Sequence, residues 1–424
     1  MNAWSDALER CESGLACLRR MKHSAPRDAV IARLHVAVAR AHVCAGDDAA
    51  AVADAQEAVA YARRGNDGQT LLAGLAAAST AYVKCHRMIE ALDTAEEAAA
   101  LARASGNTEV LVEMLLTIGS VHCHRAARDA ALGAGREAYA LAVALERSET
   151  IAEAAGELLR TEIVWWNFAE AARLAEAGAS AAARAGWLAD ASFHISRALL
   201  AYYLERFDDL DRLLERASDT LAQRTERRWH LPHAGLDRLK ARFFADYIAG
   251  VAACVRGDAD GALATAVRLS PSPLYASSYM IRNNVLHLHV RALLDRNARG
   301  DARKALALAR EIVADELAPG VLDFSTSKAL AYACAAARCA TNDVAAALAA
   351  AEADVNRAAQ ATPLECDRAY AYLAAAADDA GDAELASRAS QAADVARTAR
   401  GVAAGSMWGG QSHGGAAKAH FTVR

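Results

Sequence analysis

Three groups of residues in the 424-residue chain could carry out chemistry, and the first matches a serine nucleophile. Residues 410–414 read Gly-Gln-Ser-His-Gly, the pattern G-x-S-x-G, with Ser412 at the reactive position. A nucleophilic serine of this kind lies between a strand and a helix, which hold its hydroxyl in a strained, exposed turn. Here the pattern lies in a Gly-rich segment with no predicted strand. We therefore attribute the match to composition and predict no catalytic residue and no enzymatic activity.

Histidine and cysteine residues form the second group. His122-Cys123-His124 and Cys85-His86 look like metal ligands, as do His287 and His289. Neighbouring residues on a helix point about 100° apart, so adjacent side chains do not converge on one ion. We interpret the first two clusters as polar groups at helix ends and the last two histidines as polar residues lining a groove or interface. HExxH, Walker, dinucleotide and EF-hand patterns do not occur, so we predict no metal site and no cofactor.

The third group is a basic segment at 224–243. It contains Arg227, Arg228, Trp229 and Lys240, which could bind an anion beside a stacking indole ring. Alternatively, it is a solvated insertion whose charge balances the acidic residues at 208–215, and we favour this interpretation. The chain has 47 Lys and Arg against 52 Asp and Glu, a net charge of −5. That balance is not typical of a nucleic-acid-binding protein, so a nucleic-acid partner is the less favoured alternative.

A repeat of helix pairs must position these groups. The pairs Glu57-Ala58, Glu97-Ala98 and Glu137-Ala138 recur at an interval of 40 residues, as do Ala51, Ala91 and Ala131. In the second unit, apolar residues from Leu71 to Tyr82 and from Met88 to Leu101 are spaced to line the faces of two helices. Gly106 and Asn107 then supply a left-handed helix stop.

The composition is that of an all-helical protein. Hydrophobic residues make up 54% of the chain, many of them alanine, and there are only 6 prolines. Alanine has the highest helix propensity and lets helices pack closely, and no alternating β-branched pattern predicts a strand. A lone pair of such helices cannot bury its apolar face, so stacking on neighbouring pairs supplies the core. We predict an all-α solenoid of about nine antiparallel helix pairs.

The small and aromatic columns of this repeat resemble those of the tetratricopeptide (TPR) family. The second helices carry Ala51/Ala58 and Ala91/Ala98 spacing, and the first helices carry a small residue three before an aromatic one, as in Ser79/Tyr82 and Gly119/His122. The 40-residue period resembles the long repeats of bacterial MalT-like and LuxR-type regulators, over residues 29–400. The resemblance implies a right-handed superhelix. The chain has neither the ATPase module nor the helix-turn-helix of those regulators.

Cysteine usage and the N-terminus predict a cytoplasmic protein. The nine cysteines are odd in number, include no C-x-x-C pair and lie mostly in apolar helical stretches, which is typical of reduced thiols. The N-terminal residues lack the apolar core of a signal peptide, and no apolar stretch is long enough to span a bilayer. No membrane partner is predicted.

Departures from the repeat divide the chain. The predicted parts are a capping helix at 1–28, TPR-like repeats at 29–223, an irregular basic insertion with a longer repeat at 224–273, TPR-like repeats at 274–400 and a flexible Gly-rich tail at 401–424.

The resemblance also implies a binding groove, because the first helix of each TPR pair lines the concave surface. The positions that match the groove columns are Arg33 and Arg40 in the first unit, Lys84 in the second, and Glu113 and His124 in the third. Trp165 and Tyr203 lie near turns at the ends of later first helices and are predicted aromatic anchors.

A protein- or peptide-binding scaffold or regulatory adaptor is therefore the favoured function. The alternatives are a ligand-sensing transcriptional regulator of the MalT-like type and an accessory subunit of an enzyme. Self-association into a homodimer is compatible with each of these. The sequence does not decide whether the tail docks in the groove.

Overall fold

A computed structural model describes residues 3–45, 47–85, 87–222, 234–272, 279–314 and 328–405. These residues form nineteen helices and no strand, so the described part of the chain is all-α, as the composition predicted. The helices are α1 (Ala3–Arg19), α2 (Ala25–Ala45), α3 (Asp48–Gly65), α4 (Gly68–Lys84), α5 (Met88–Ser105), α6 (Thr108–His124), α7 (Arg128–Ala144), α8 (Ser148–Val164), α9 (Phe168–Ala185), α10 (Trp187–Tyr203), α11 (Phe207–Ala222), α12 (Ala234–Arg256), α13 (Ala259–Leu269), α14 (Tyr279–Arg296), α15 (Asp301–Ala314), α16 (Lys328–Arg338), α17 (Val344–Ala361), α18 (Cys366–Ala380) and α19 (Ala383–Gly405).

Helix pairs follow one another in an array. From α2 onward, each even-numbered helix packs against the odd-numbered helix that follows it, and we call these the first and second helices of a pair. Each first helix also contacts the first helix of the next pair, whereas second helices of neighbouring pairs make no comparable contact within the described ranges. First helices are therefore more closely spaced than second helices, so the array curves with the first helices on its inner side.

Alanine columns form the helix–helix contacts. The alanines that define the 40-residue interval, Ala51, Ala91 and Ala131 together with Ala58, Ala98 and Ala138, are all fully buried. Larger apolar side chains, such as Leu72, Leu75 and Leu111, fill the space between successive pairs. Small residues at the contact points let the helix axes approach closely, so each layer of core is thin and depends on the next pair to cover it.

The repeated glutamates have a separate role on the outer surface. Arg63 Nη2 donates to Glu97 Oε1 at 2.6 Å, and Arg103 Nη2 donates to Glu137 Oε1 at 2.7 Å, so each bridge joins successive second helices. All four side chains are about half exposed, and ion pairs of this kind contribute about 1 kcal/mol or less. The glutamate column therefore fixes the register between pairs more than it stabilises them.

The predicted stop at Gly106 is confirmed, and Asn66 ends the preceding pair in the same way. Asn66 and Gly106 adopt left-handed backbone conformations, with φ of 50° and 70°, and end α3 and α5. The next residue in each turn caps the following helix: Asp67 Oδ1 accepts from the Thr70 amide at 3.1 Å, and Asn107 Oδ1 accepts from the Val110 amide at 3.2 Å. One turn thus terminates one helix and starts the next, because the side-chain oxygen satisfies an otherwise free N–H.

Three helices have one end inside segments that the sequence set apart from the regular repeats. α2 begins at Ala25, inside the range predicted for the capping helix. Pro26 is accepted there because the N–H groups of the first helical turn have no partner within the helix, so the N–H that proline lacks is not needed. α12 begins at Ala234, inside the predicted irregular insertion. α19 continues to Gly405, beyond the predicted start of the flexible tail. Residues 223–233 and 406–424, including Ser412, lie outside the described residues.

A matched pair of glycine substitutions tests the close packing. A Cβ on Gly178 of α9 would lie 2.6 Å from Phe193 Cε2 and 2.9 Å from Ala155 Cβ, whereas a Cβ on the exposed Gly133 of α7 would meet nothing within 4 Å. We expect Gly178→Ala to lower the free energy of unfolding by about 1–3 kcal/mol through overpacking. Gly133→Ala should instead raise it by up to about 1 kcal/mol through helix propensity. Urea unfolding monitored by circular dichroism measures both, and equal effects would contradict this packing.

Candidate functional site

The inner face of α2, α4, α6 and α8 carries a row of solvent-accessible side chains, which we call the groove. Arg33 and Arg40 of α2 and Glu113 of α6 are exposed, as is Glu153 of α8, while Thr80 of α4 is half-buried. The repeat register assigns these positions to the side on which successive first helices meet, and the electrostatic interaction of Glu113 with both Arg40 and Glu153 supports this assignment for three of them. Burial raises the pKa of Glu113, while Arg40 of α2 acts in the opposite direction.

The charge of the groove side chains changes from positive to negative along the array. Its first pair presents Arg33 and Arg40, whereas α6 and α8 present carboxylates. Burial is the main cause that raises the pKa of Glu113, although the side chain is accessible to water. A concave face explains this combination, because protein on several sides displaces bulk solvent around a side chain whose tip is still hydrated.

Glu153 lies where the carboxylates are most crowded. The pKa of Glu153 is raised to about 7, mainly by burial and then by the neighbouring carboxylates of Glu157, Glu113 and Glu149 in that order, while Arg160 acts in the opposite direction. Arg160 is shared, because it pairs with Glu157 and also donates to Ser196 Oγ at 2.5 Å. The acidic end of the groove is therefore only partly neutralised by the protein itself.

The histidine and cysteine cluster at the end of α6 carries no activated group. Burial lowers the pKa of both His122 and His124, so both rings are neutral at pH 7. Burial also raises the pKa of the Cys123 thiol to about 12, which keeps it protonated and unreactive. Over the described residues, no group of three or more His, Cys, Asp or Glu side chains is arranged to hold a metal ion.

The other predicted site residues have different placements. Lys84 is the last residue of α4, and its side chain lies outside those described. The same holds for Arg227, Arg228 and Trp229 of the proposed anion patch, so that patch stays a prediction. Lys240, its fourth member, lies in α12 and is half-buried.

Trp165 and Tyr203 are not aromatic anchors in the groove, which corrects their predicted position. Both side chains are 8% exposed and belong to the largest apolar cluster, formed by helices from α7 to α12. The cause is a contact that the repeat pattern does not show. Leu364, which precedes α18, packs against this cluster, and the Arg368 guanidinium lies 5.7 Å from the centre of the Tyr203 ring.

The C-terminal pairs fold back onto the middle of the array. Thr362 Oγ1 donates to the carbonyl oxygen of Val164 at 2.8 Å, across 198 positions of sequence. Arg400 of α19 is paired with Glu205, which follows α10, and lies 3.3 Å from the Asp367 carboxylate. The inner face beyond α8 therefore meets other parts of the chain, whereas the groove from α2 to α8 stays accessible.

The interior formed by this closure is polar and aromatic. The Arg368 guanidinium of α18 lies 4.4 Å from the centre of the Tyr202 ring, and the Arg291 guanidinium of α14 lies 4.4 Å from the centre of the Tyr372 ring. We call Tyr202, Tyr203, Arg291, Arg368 and Tyr372 the interior cluster. Arg291 and Arg368 lie in first helices, but the repeat does not indicate which pairs meet, so the sequence does not predict this cluster.

Comparisons with known proteins do not place the chain in a family. No protein-family model matches it, and no curated protein sequence matches it. Among solved structures, it is similar to a protein described as "Circular tandem repeat protein with novel repeat topology and enhanced subunit contact surfaces". The identity is 15%, the alignment covers 94% of this chain and 89% of that one, and the TM-score is 0.18. At that TM-score the likeness carries no argument, so the assignment of a helical repeat depends on the helices of the structure alone.

No helix in the described ranges is long and apolar enough to cross a bilayer.

Removing Arg400, which joins the C-terminal pairs to the middle of the array, should lower the free energy of unfolding far more than removing an exposed ion pair. Arg400 is 7% exposed, and its replacement would leave Glu205 and the buried Asp367 without their shared cation. We expect Arg400→Met to lower the free energy of unfolding by about 3 kcal/mol. The control is Arg388→Met on the same helix, where the arginine is half exposed and pairs with Glu352 and Glu384. Urea unfolding compares the two, and an equal loss would contradict a buried closure.

Glu153 should make stability depend on pH. Its carboxyl has a pKa of about 7 when folded and about 4.5 when unfolded, so the folded protein holds a proton that the unfolded chain releases between these values. Stability contributed by this group is therefore present below pH 4.5 and lost as the pH rises to 7. We expect Glu153→Gln to stabilise the protein at pH 8 and to have little effect at pH 4.5.

Urea unfolding at the two pH values measures this difference. The matched control is Glu176→Gln, which neutralises an exposed carboxyl on the second helix α9. An unchanged pH profile in Glu153→Gln would show that the crowding of carboxylates in the groove does not perturb this group.

Proposed function

We propose that the protein is a binding scaffold whose groove takes an extended segment of a partner protein. We further propose that the helix pairs form a TPR-like, right-handed superhelix of about nine pairs, since the small-residue columns and the inner position of the first helices support that relationship. The observation that carries the function is the charged, accessible inner face of α2 to α8, in which arginines and carboxylates are separated along the array.

The dimensions of the groove suit a short extended peptide. Packed helices lie about 8–10 Å apart, so four first helices span roughly 24–30 Å between the outer axes. An extended chain advances about 3.3 Å per residue, and a segment of about eight or nine residues covers that distance. Such a segment would contact one side chain or more on each first helix.

Because positive and negative side chains lie at opposite ends of the groove, the partner segment would bind in one direction. Its acidic part would lie against Arg33 and Arg40, and its basic part against Glu113 and Glu153. Each charged contact near the surface contributes about 1 kcal/mol or less, so no single pair produces useful affinity. Specificity arises from the register of several contacts, because shifting the segment by two helices would oppose like charges.

A pair of synthetic peptides tests this function. Both have ten residues and the same composition, but one has its acidic residues in one half and its basic residues in the other, while the second alternates them. We expect the segregated peptide to bind the full chain about tenfold or more tightly, because only it matches the charge order of the groove. Fluorescence anisotropy at low ionic strength measures both affinities.

Variants of the protein complete the design. Arg40→Glu should weaken binding of the segregated peptide at least fivefold, while Arg303→Glu, a charge reversal at an exposed position on the second helix α15, should leave it unchanged. Circular dichroism verifies that both variants are folded. Equal affinity for the two peptides, or equal loss in both variants, would rule out the groove as the binding site.

A further inference from the structure

We propose that Tyr202, Arg291 and Arg368 of the interior cluster, together with a polar row on α14, bind a small organic molecule that carries a carboxylate or phosphate group. The basis is a set of buried hydrogen-bond donors that have no acceptor within the described part of the chain. Tyr202 Oη, Arg291 Nε and Arg368 Nη2 are the donors, and they come from three different first helices, α10, α14 and α18.

The unpaired donors are deeply placed. Tyr202 is 2% exposed and the side chain of Arg368 is 10% exposed, whereas the side chain of Arg291 is 20% exposed but its Nε atom is buried. A buried donor without a partner costs about 1–3 kcal/mol, and folded proteins rarely contain several together. Three in one place therefore indicate an acceptor that the protein does not itself supply.

The nearby carboxylates do not accept a hydrogen bond from Arg368 Nη2 or Arg291 Nε. Glu365 Oε1 accepts from Arg368 Nη1 at 3.0 Å, which leaves the other terminal nitrogen of that guanidinium free of a described partner. Asp295 forms an ion pair with Arg291, with its Oδ2 3.6 Å from Arg291 Nε, and this contact leaves Nε without a close hydrogen-bond acceptor. Glu205 lies 3.9 Å from Arg368 Nη2 and is paired with Arg400.

Aromatic rings hold the two guanidinium groups ready for an oxyanion. The rings of Tyr202 and Tyr372 lie against the guanidinium groups of Arg368 and Arg291, each 4.4 Å from the ring centre. A guanidinium over a ring uses its face for the cation–π contact, while its N–H groups point outward in its own plane. Carboxylate and phosphate oxygens match that planar arrangement of donors, and a Tyr202 hydroxyl can add a third hydrogen bond.

The polar row on α14 defines the rest of the ligand. Asn283, His287 and Arg291 are four residues apart and share one face of the helix. Both polar atoms of the Asn283 side chain and Nε2 of His287 are buried and have no partner among the side chains described. Burial lowers the pKa of His287 to about 3, so its ring is neutral and matches an uncharged polar group.

The length of the row sets the size of the molecule. Eight residues of helix separate Asn283 from Arg291, and this corresponds to a rise of about 12 Å. A compound with an oxyanion at Arg291 and an uncharged hydrogen-bonding group about 6 Å away reaches His287, and a compound about 12 Å long also reaches Asn283. This site is separate from the groove of α2 to α8, so its occupancy and peptide binding can be measured independently.

Two probe compounds distinguish the sources of the oxyanion. Hippurate offers a carboxylate with an amide, and glycerol 3-phosphate offers a phosphate with hydroxyl groups; sodium chloride at the same ionic strength is the reference. We expect one probe to raise the melting temperature of the full chain in a saturable manner. A rise with hippurate alone indicates a carboxylate ligand, and a rise with glycerol 3-phosphate alone a phosphate ligand. If neither does so, the donors are satisfied by water and the proposal is overturned.

Two tyrosine variants test whether the site lies here. Tyr202→Phe removes a hydroxyl without a described partner, so we expect an unchanged or higher melting temperature without a probe and at least fivefold weaker probe binding. Tyr203→Phe is the matched control, because the Tyr203 hydroxyl interacts with the Glu365 carboxylate. It should lower the melting temperature and leave probe affinity intact.

An arginine variant tests the oxyanion contact. Arg291→Gln should weaken probe binding about tenfold or more. Full affinity in Tyr202→Phe and Arg291→Gln would also overturn the proposal.

Discussion

Close contact between alanine-lined helices is the constraint on which the remaining structure depends. Because the contact residues have no more than a methyl group, each pair buries little area by itself and must be covered by the next. The same closeness brings successive first helices together on one side of the array and so places their exposed residues in one continuous row. A bulkier residue in an alanine column would separate two pairs locally, and every more distant part of the array would be displaced with them.

The sequence predicts the parts of this molecule that repeat. The alanine columns, the left-handed stops at Asn66 and Gly106 and the capping residues that follow them are local, and each recurs at a fixed interval. Periodicity was sufficient in these cases because each interaction connects neighbours along the chain. The groove positions Arg33, Arg40 and Glu113 come from the family resemblance and stay a prediction, although all three side chains are exposed.

Contacts between distant pairs could not be predicted in this way. Trp165 and Tyr203 occupy positions that would face solvent in an open array, but Leu364 and Arg368 cover them after the C-terminal pairs fold back. Which pairs meet depends on small rotations that accumulate from one pair to the next, and a sequence repeat does not encode their sum. The polar interior beneath this contact therefore has no sequence pattern.

The hydrogen bond between Thr362 and Val164 has a consequence for the order in which the chain folds. Contacts within and between neighbouring pairs close short loops and can form quickly, whereas this one must bring together residues nearly two hundred positions apart, at a greater entropic cost. During synthesis, the early pairs can assemble on the emerging polypeptide long before Arg400 has been translated. The middle helices must therefore exist for a time with Trp165 and Tyr203 uncovered, and in that interval they would be the part of the nascent protein most in need of a chaperone.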